Sequence, residues 1–208
     1  RTSSKTQSAL LEAMEELHVT VDGVTHELPK PFVVLATQNP AGSAGTQNLP
    51  NSQLDRFLLK LSLGYPDARS QFRILKERSG SDPLDQVQPV MTREELLGSI
   101  AHVRQVYVDD RIYDYIVRLA EATRVDPLVK LGISPRGALA LTRAAKARAF
   151  AKGRDYVIPE DVTGMTECVF AHRLMLSSKA RLNEDTPQAV VAQVLEQTCP
   201  PEMTEQQA

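Results

Sequence analysis

Three polar side chains sit where their types and spacing could act on a phosphate. Asn39 follows the apolar run FVVLAT, Arg56 stands between NSQLD and the apolar run FLLKL, and Arg136 lies in GISPRGALAL just after Ser134-Pro135. An amide at the carboxyl end of a buried strand, followed by a loop and a lone arginine, can sense and complete a phosphate site. An arginine in the first turn of a helix opposes the macrodipole, at a cost of a few tenths to about 1 kcal/mol. That same helix start attracts phosphate. Each residue also has a plainer reading. Asn39 can start a turn before Pro40, Arg56 can pair with Asp55 or be solvated, and Arg136 can simply be solvated.

The elements that must hold these residues are readable from pattern. Ser4-Lys5-Thr6-Gln7 resembles a capping box, and Leu10, Leu11, Met14 and Leu17 recur at helical spacing, predicting a helix over 5–17. VTV-DG-VTHEL predicts a hairpin with a type I′ turn at Asp22-Gly23. The short β-branched run 32–37 suits a strand buried on both faces. A Gly-, Ser-, Asn- and Pro-rich loop follows, then a short helix near 51–55 and an alternating strand over 57–63. Beyond Pro66 the chain reads as helical: 67–78, 93–103 behind a Thr92 capping box, 109–123, 135–151 behind Ser134-Pro135, 162–174, and 187–197 behind Thr186-Pro187. The expected organisation is a partial α/β unit over 1–66, a first lid helix and linker over 67–90, and an all-helical domain over 91–208.

Bulk properties restrict the function classes. The 208 residues are 42% hydrophobic and 24% charged, with net charge −2. Residues 1–66 hold five basic and six acidic groups and the remainder 19 and 20, so neither part is a basic patch and nucleic acid is disfavoured as a partner. No apolar run approaches the roughly 20 residues that span a bilayer. Cys168 and Cys199 lack a C-x-x-C arrangement, and two free thiols in a reducing, cytoplasmic compartment are expected. His18, His26, His102 and His172 lack ligand spacing, and no metal site is expected from them. Glu12, Glu15 and Glu16 read as a solvated helix face. Arg143, Lys146 and Arg148 read as a solvated outer face, away from the helix start.

KTQSALLEAMEE, VTVDGVTHELPKPF, LATQNP, LPNSQLDRFLLKLSLGYP and GISPRGALAL together resemble the MoxR family of AAA+ ATPases, over essentially 5–197. The resemblance implies an α/β plus all-α fold: an incomplete P-loop AAA+ core with two strands and a pre-sensor hairpin, followed by a helical lid domain. It makes Asn39 sensor 1, Arg56 an arginine finger acting in trans and Arg136 sensor 2 on the lid, with Asn39 and Arg136 touching the nucleotide. Arg1 resembles the last arginine of a Walker B segment. The loop between Asn39 and Arg56 departs from the family: its acidic and aromatic residues are Ala, Gly, Ser and Asn here, so its contacts with a neighbour differ.

The resemblance also implies ATP and Mg2+ in the full-length protein, a homo-oligomeric and hexameric ring, remodelling or assembly of protein clients, and a von Willebrand factor A domain partner. Two alternatives stand beside it: a non-enzymatic helical interaction module, and a DNA-associated relative of the MCM type. No G-x-x-x-x-G-K-[ST] occurs, so the sequence reads as the back half of an ATPase without its phosphate cradle. This chain alone is therefore expected to release no phosphate from ATP above background in a steady-state assay.

Overall fold

Ile112, Ile116 and Leu119 recur at the spacing of one helix face, and all three are buried, with Tyr115 beside them, in the computed structural model. The structure describes residues 4–38, 50–77 and 83–202. Its core is built from α5 (Asp110–Val125), α6 (Pro135–Ala151), α7 (Pro159–Phe170) and α9 (Pro187–Gln197), with α4 (Arg93–Gln105) against α6. Ala140, Ala144, Ala145 and Ala149 line the buried side of α6, and such small residues let α5 and α7 pack closely around it. Leu141 is 0% exposed on the same face. Its burial contributes about 1.5–3 kcal/mol.

Helix starts follow their caps. Thr92 accepts from the Glu95 amide at 3.2 Å while the Glu95 carboxylate accepts from the Thr92 amide at 2.7 Å. Asp109, Ser134 and Thr186 cap α5, α6 and α9 through their side-chain oxygens. A short antiparallel pair, β3 (Val129–Leu131) with β4 (Met175–Leu176), ties the α5–α6 connection to the chain leaving α7. Neither strand was expected from periodicity, being two or three residues long. The small α8 (Ser178–Leu182) has only five residues, too few to show a helical period.

The N-terminal elements are α1 (Ser4–Glu16), β1 (His18–Val21), β2 (Val24–Glu27) and α2 (Asn51–Leu54), and α3 (Ala68–Glu77) follows. β1 and β2 pair with Val21 opposite Val24, and Asp22 (φ 51°) and Gly23 (φ 79°) both adopt the left-handed conformation that the type I′ turn requires. Ser4 is already helical and so is not the cap. The helix expected over 162–174 ends at Phe170, where a 3₁₀ turn, Ala171–Arg173, redirects the chain.

The largest departure concerns the two expected strands. Residues 32–38 and 59–66 carry no ladder among the described residues. Leu35 is 94% exposed, Leu63 97% and Tyr65 100%. A strand is defined by a neighbouring strand that takes its N–H and C=O groups, and among the described residues no strand pairs with either run. α3 likewise buries no residue. Among the described residues no helix is long and apolar enough to cross a membrane.

Thr123 is 0% exposed and holds the entry to α6: its hydroxyl donates to Ala120 C=O at 2.6 Å and accepts from the Ile133 amide at 3.0 Å. Thr123→Val strands that buried N–H and is expected to cost about 1–3 kcal/mol. A lower urea midpoint with an unchanged slope would register it.

Candidate functional site

Arg56 and Arg136 are far apart in sequence and meet at one carboxylate. Arg56 directly follows the short α2 and its turn, and its Nη1 pairs with Glu15 Oε2. Arg136 is the second residue of α6, and its Nη2 lies 2.6 Å from Glu15 Oε1. Glu15, in the last turn of α1, thus gives one oxygen to each guanidinium. The side chains are half-open: Arg56 is 29% exposed, Glu15 30% and Arg136 52%. This corrects the expectation that Glu15 belongs to a solvated face. The helical spacing did place it on the polar side, but that side faces the two arginines.

The local helix chemistry explains the position of Arg136. Pro135 takes the first helical position, where its missing N–H costs nothing, and Ser134 Oγ accepts from the Gly137 amide at 3.3 Å. Arg136 therefore sits on the positive end of α6, and Glu15 neutralises part of that unfavourable field. A guanidinium has five N–H donors, and each of these two uses one on Glu15. The remaining donors suit a phosphate, which accepts them in a bidentate fork. A cleft of about 400 Å³ lies beside the cluster, lined by Leu11, Glu12, Glu15, Ser52, Gln53 and Arg56.

Asp55, the expected alternative partner of Arg56, is occupied elsewhere. Its Oδ1 accepts from Arg173 Nε at 2.9 Å. Arg173 is 6% exposed. Burial pushes the pKa of its guanidinium down, while the Asp55 charge and hydrogen bond push it up and Arg136 pushes it down again. Arg173 was not singled out from sequence: a lone arginine near the end of a helical run carries no local signal of burial. His172 beside it is 8% exposed, with Nε2 at 3.1 Å from Phe57 C=O and 2.8 Å from Arg173 Nη1. Its Nδ1 has no partner among the described residues.

The other expectations divide. Asn39 and Arg1 lie outside the described residues. Lys146 and Arg148 are not purely solvated: Lys146 Nζ donates to Arg104 C=O at 2.8 Å, and Arg148 lies 3.7 Å from the buried Asp161. Their charges serve the lid's own packing. Cys168 is half-buried and Cys199 exposed, both as free thiols.

Burial, and after it the Arg173 charge, pushes His172 down to about 4 from an ordinary 6.5. Between those values the unfolded chain takes up a proton that the folded chain refuses. Stability is then complete above about pH 6.5 and falls as pH drops towards about 4, by up to about 3 kcal/mol. Urea titrations across pH 4–7 should show this slope, and His172→Gln should remove it even if its plateau is lower.

Comparison with known proteins adds to this geometry. Residues 1–59 match the family described as "ATPase family associated with various cellular activities (AAA)", and residues 121–194 match the AAA lid domain. The uncharacterised protein YeaC of Bacillus subtilis is 46% identical over 94% of this chain and 61% of its own length. The chaperone MoxR1 of Mycobacterium tuberculosis is 37% identical over 98% of this chain and 56% of its own. A crystal structure of a Cytophaga hutchinsonii protein classed as an ATPase superposes with TM-score 0.89 at 33% identity, covering 97% of this chain and 64% of that one. The chain thus spans about three-fifths of the length of the relatives it matches.

Proposed function

Because the chain belongs to the MoxR family of AAA+ ATPases, we propose that it supplies the nucleotide-sensing and neighbour-reaching residues of a ring-shaped ATPase that remodels protein clients. The carrying observation is the meeting of Arg56 and Arg136 on Glu15. Two cations from different domains, held together at a half-open surface, are what a triphosphate on an adjoining subunit would meet. Arg56 is the finger in this reading. Its guanidinium neutralises the charge that builds on the transferred γ-phosphoryl, an effect of about 10³ to 10⁵ in rate. Arg136 is sensor 2. Since both arginines share one carboxylate, both address the same triphosphate, and Arg136 then acts in trans with Arg56.

Glu15 serves as the counter-ion of the two arginines. It keeps two like charges side by side at low cost, and phosphate oxygens displace it because they bring more charge and fit the same forks. Asn39, at the end of the 32–37 run, completes the reading as sensor 1 by orienting the attacking water.

The donor set fits the nucleotide better than the cation. Guanidinium forks suit a triphosphate, whereas among the described residues no cluster of three carboxylate, imidazole or thiol groups is placed to take Mg2+. Mg2+, where bound, supplies charge neutralisation on the β- and γ-phosphates, and its ligands are not assigned to this chain. The ring is proposed as a hexamer and the compartment as cytoplasmic, with a von Willebrand factor A domain protein as partner.

In the complete ATPase, Asn39→Ala and Arg56→Ala should bind ATP with affinity near wild type and lose about 10³-fold in kcat, measured by nucleotide titration and phosphate release. Wild-type turnover in Arg56→Ala removes the finger role.

A further inference from the structure

Arg173 makes six described contacts, and four of them go to the residues flanking Arg56. Its Nε donates to Asp55 Oδ1 at 2.9 Å. Nη2 donates to the carbonyls of Phe57 at 2.6 Å and Asp55 at 3.1 Å, and Nη1 to the carbonyl of Leu58 at 3.3 Å. The other two, Val169 C=O and His172 Nε2, belong to the lid element that carries it. One side chain of the lid therefore holds the backbone immediately before and after Arg56 and leaves Arg56 itself to Glu15. A second link, from the Lys60 amide to Cys168 C=O at 3.0 Å, continues the same seam.

The other side of Arg173 faces α6. A Cβ built on Gly137 would stand 2.7 Å from Ile133 Cγ2 and 3.1 Å from Arg173 Cδ, so a side chain here would displace Ile133 and crowd the Arg173 stem. Gly137 is the residue after Arg136. β4 begins two residues beyond Arg173 and pairs with β3, which leads into α6. Both arginines of the Glu15 cluster are thus braced from behind by one buried guanidinium.

We propose that Arg173 is the positioning residue for the arginine finger: it couples the lid to the 55–58 segment, so that movement of the lid resets where Arg56 points. The proposal rests on the reading of Arg56 as a finger. The requirement is for a fork and not only for a charge. Three carbonyls and a carboxylate lie around a planar group with five fixed donors, whereas a lysine ammonium presents three donors from one point. A displacement of about 1 Å at Arg56 would cost about 10²-fold in rate.

Arg173→Lys in the complete ATPase tests this. Expected are a fall of about 10- to 100-fold in kcat with the KM for ATP unchanged, and faster amide hydrogen exchange confined to 54–60. Mixing supplies the readout that a merely structural role would not move. Arg173→Lys subunits mixed with subunits that have a disabled phosphate loop but intact fingers should regain turnover, because their own sites then face a wild-type Arg56.

Full turnover in Arg173→Lys alongside an inactive Arg56→Ala overturns the positioning role and leaves the finger standing. Full turnover in Arg56→Ala overturns both. Lost turnover that mixing does not restore, with exchange at 54–60 unchanged, also overturns the proposal. If Arg173→Lys does not fold, Asp55→Ala removes the Nε partner alone, and about a tenfold loss restored by the same mixing is the supporting result.

Discussion

Taking a guanidinium out of water costs several kcal/mol unless its N–H groups are met. At Arg173 that constraint decides where a remote part of the chain must run. The lid supplies Val169 and His172, and the rest comes from Asp55, Phe57 and Leu58. The 55–58 segment cannot leave without stranding a buried charge. The apolar contact between the two parts is thin by comparison, with Leu59, just after this segment, packing against the lid core. A polar seam of this kind fixes direction as well as distance, which apolar contact alone does not.

The seam depends on a lid that is itself angularly fixed. Asp161 is 1% exposed and is held by Arg154 through two bonds of 2.7 Å each, Nη1 to Oδ2 and Nη2 to Oδ1. It also accepts from the Ile158 amide at 3.1 Å, so the start of α7 is capped from within although Ile158 has no capping side chain. Arg154 comes from the turn after α6, so this one ion pair sets α7 against α6. The 171–173 turn lies at the far end of α7. Arg173 therefore arrives at Asp55 with the geometry that the Asp161 pair sets twelve residues earlier.

Local chemistry was legible in the sequence where one residue type has one physical use. Asp22-Gly23 forces the hairpin turn, Thr92 with Glu95 and Ser134 with Pro135 open their helices, and all form as read. The α/β plus helical-lid class was also legible, through motif resemblance more than through periodicity. What failed depended on distant partners. The runs 32–37 and 57–63 have strand composition, but composition cannot supply the neighbour that makes a ladder. Glu15 looked like one of three equivalent surface glutamates because helical phase gives the face and not what approaches it. Arg173 gave no signal, since four of its six contacts go to residues more than a hundred positions away. Asn39 falls outside the described residues, so the sequence argument for it stands by itself.

The exposed runs over 32–38 and 59–66 have a consequence for how this polypeptide behaves in solution. Apart from the Lys60 amide, which donates to Cys168 C=O, the main-chain groups of these runs enter no ladder among the described residues, and they lie beside large apolar side chains such as Leu35 and Leu63. Such a rim is a template for any extended peptide, including a second molecule of the same kind. Concentration and competing β-strands therefore act on these runs, whatever the helical half contributes.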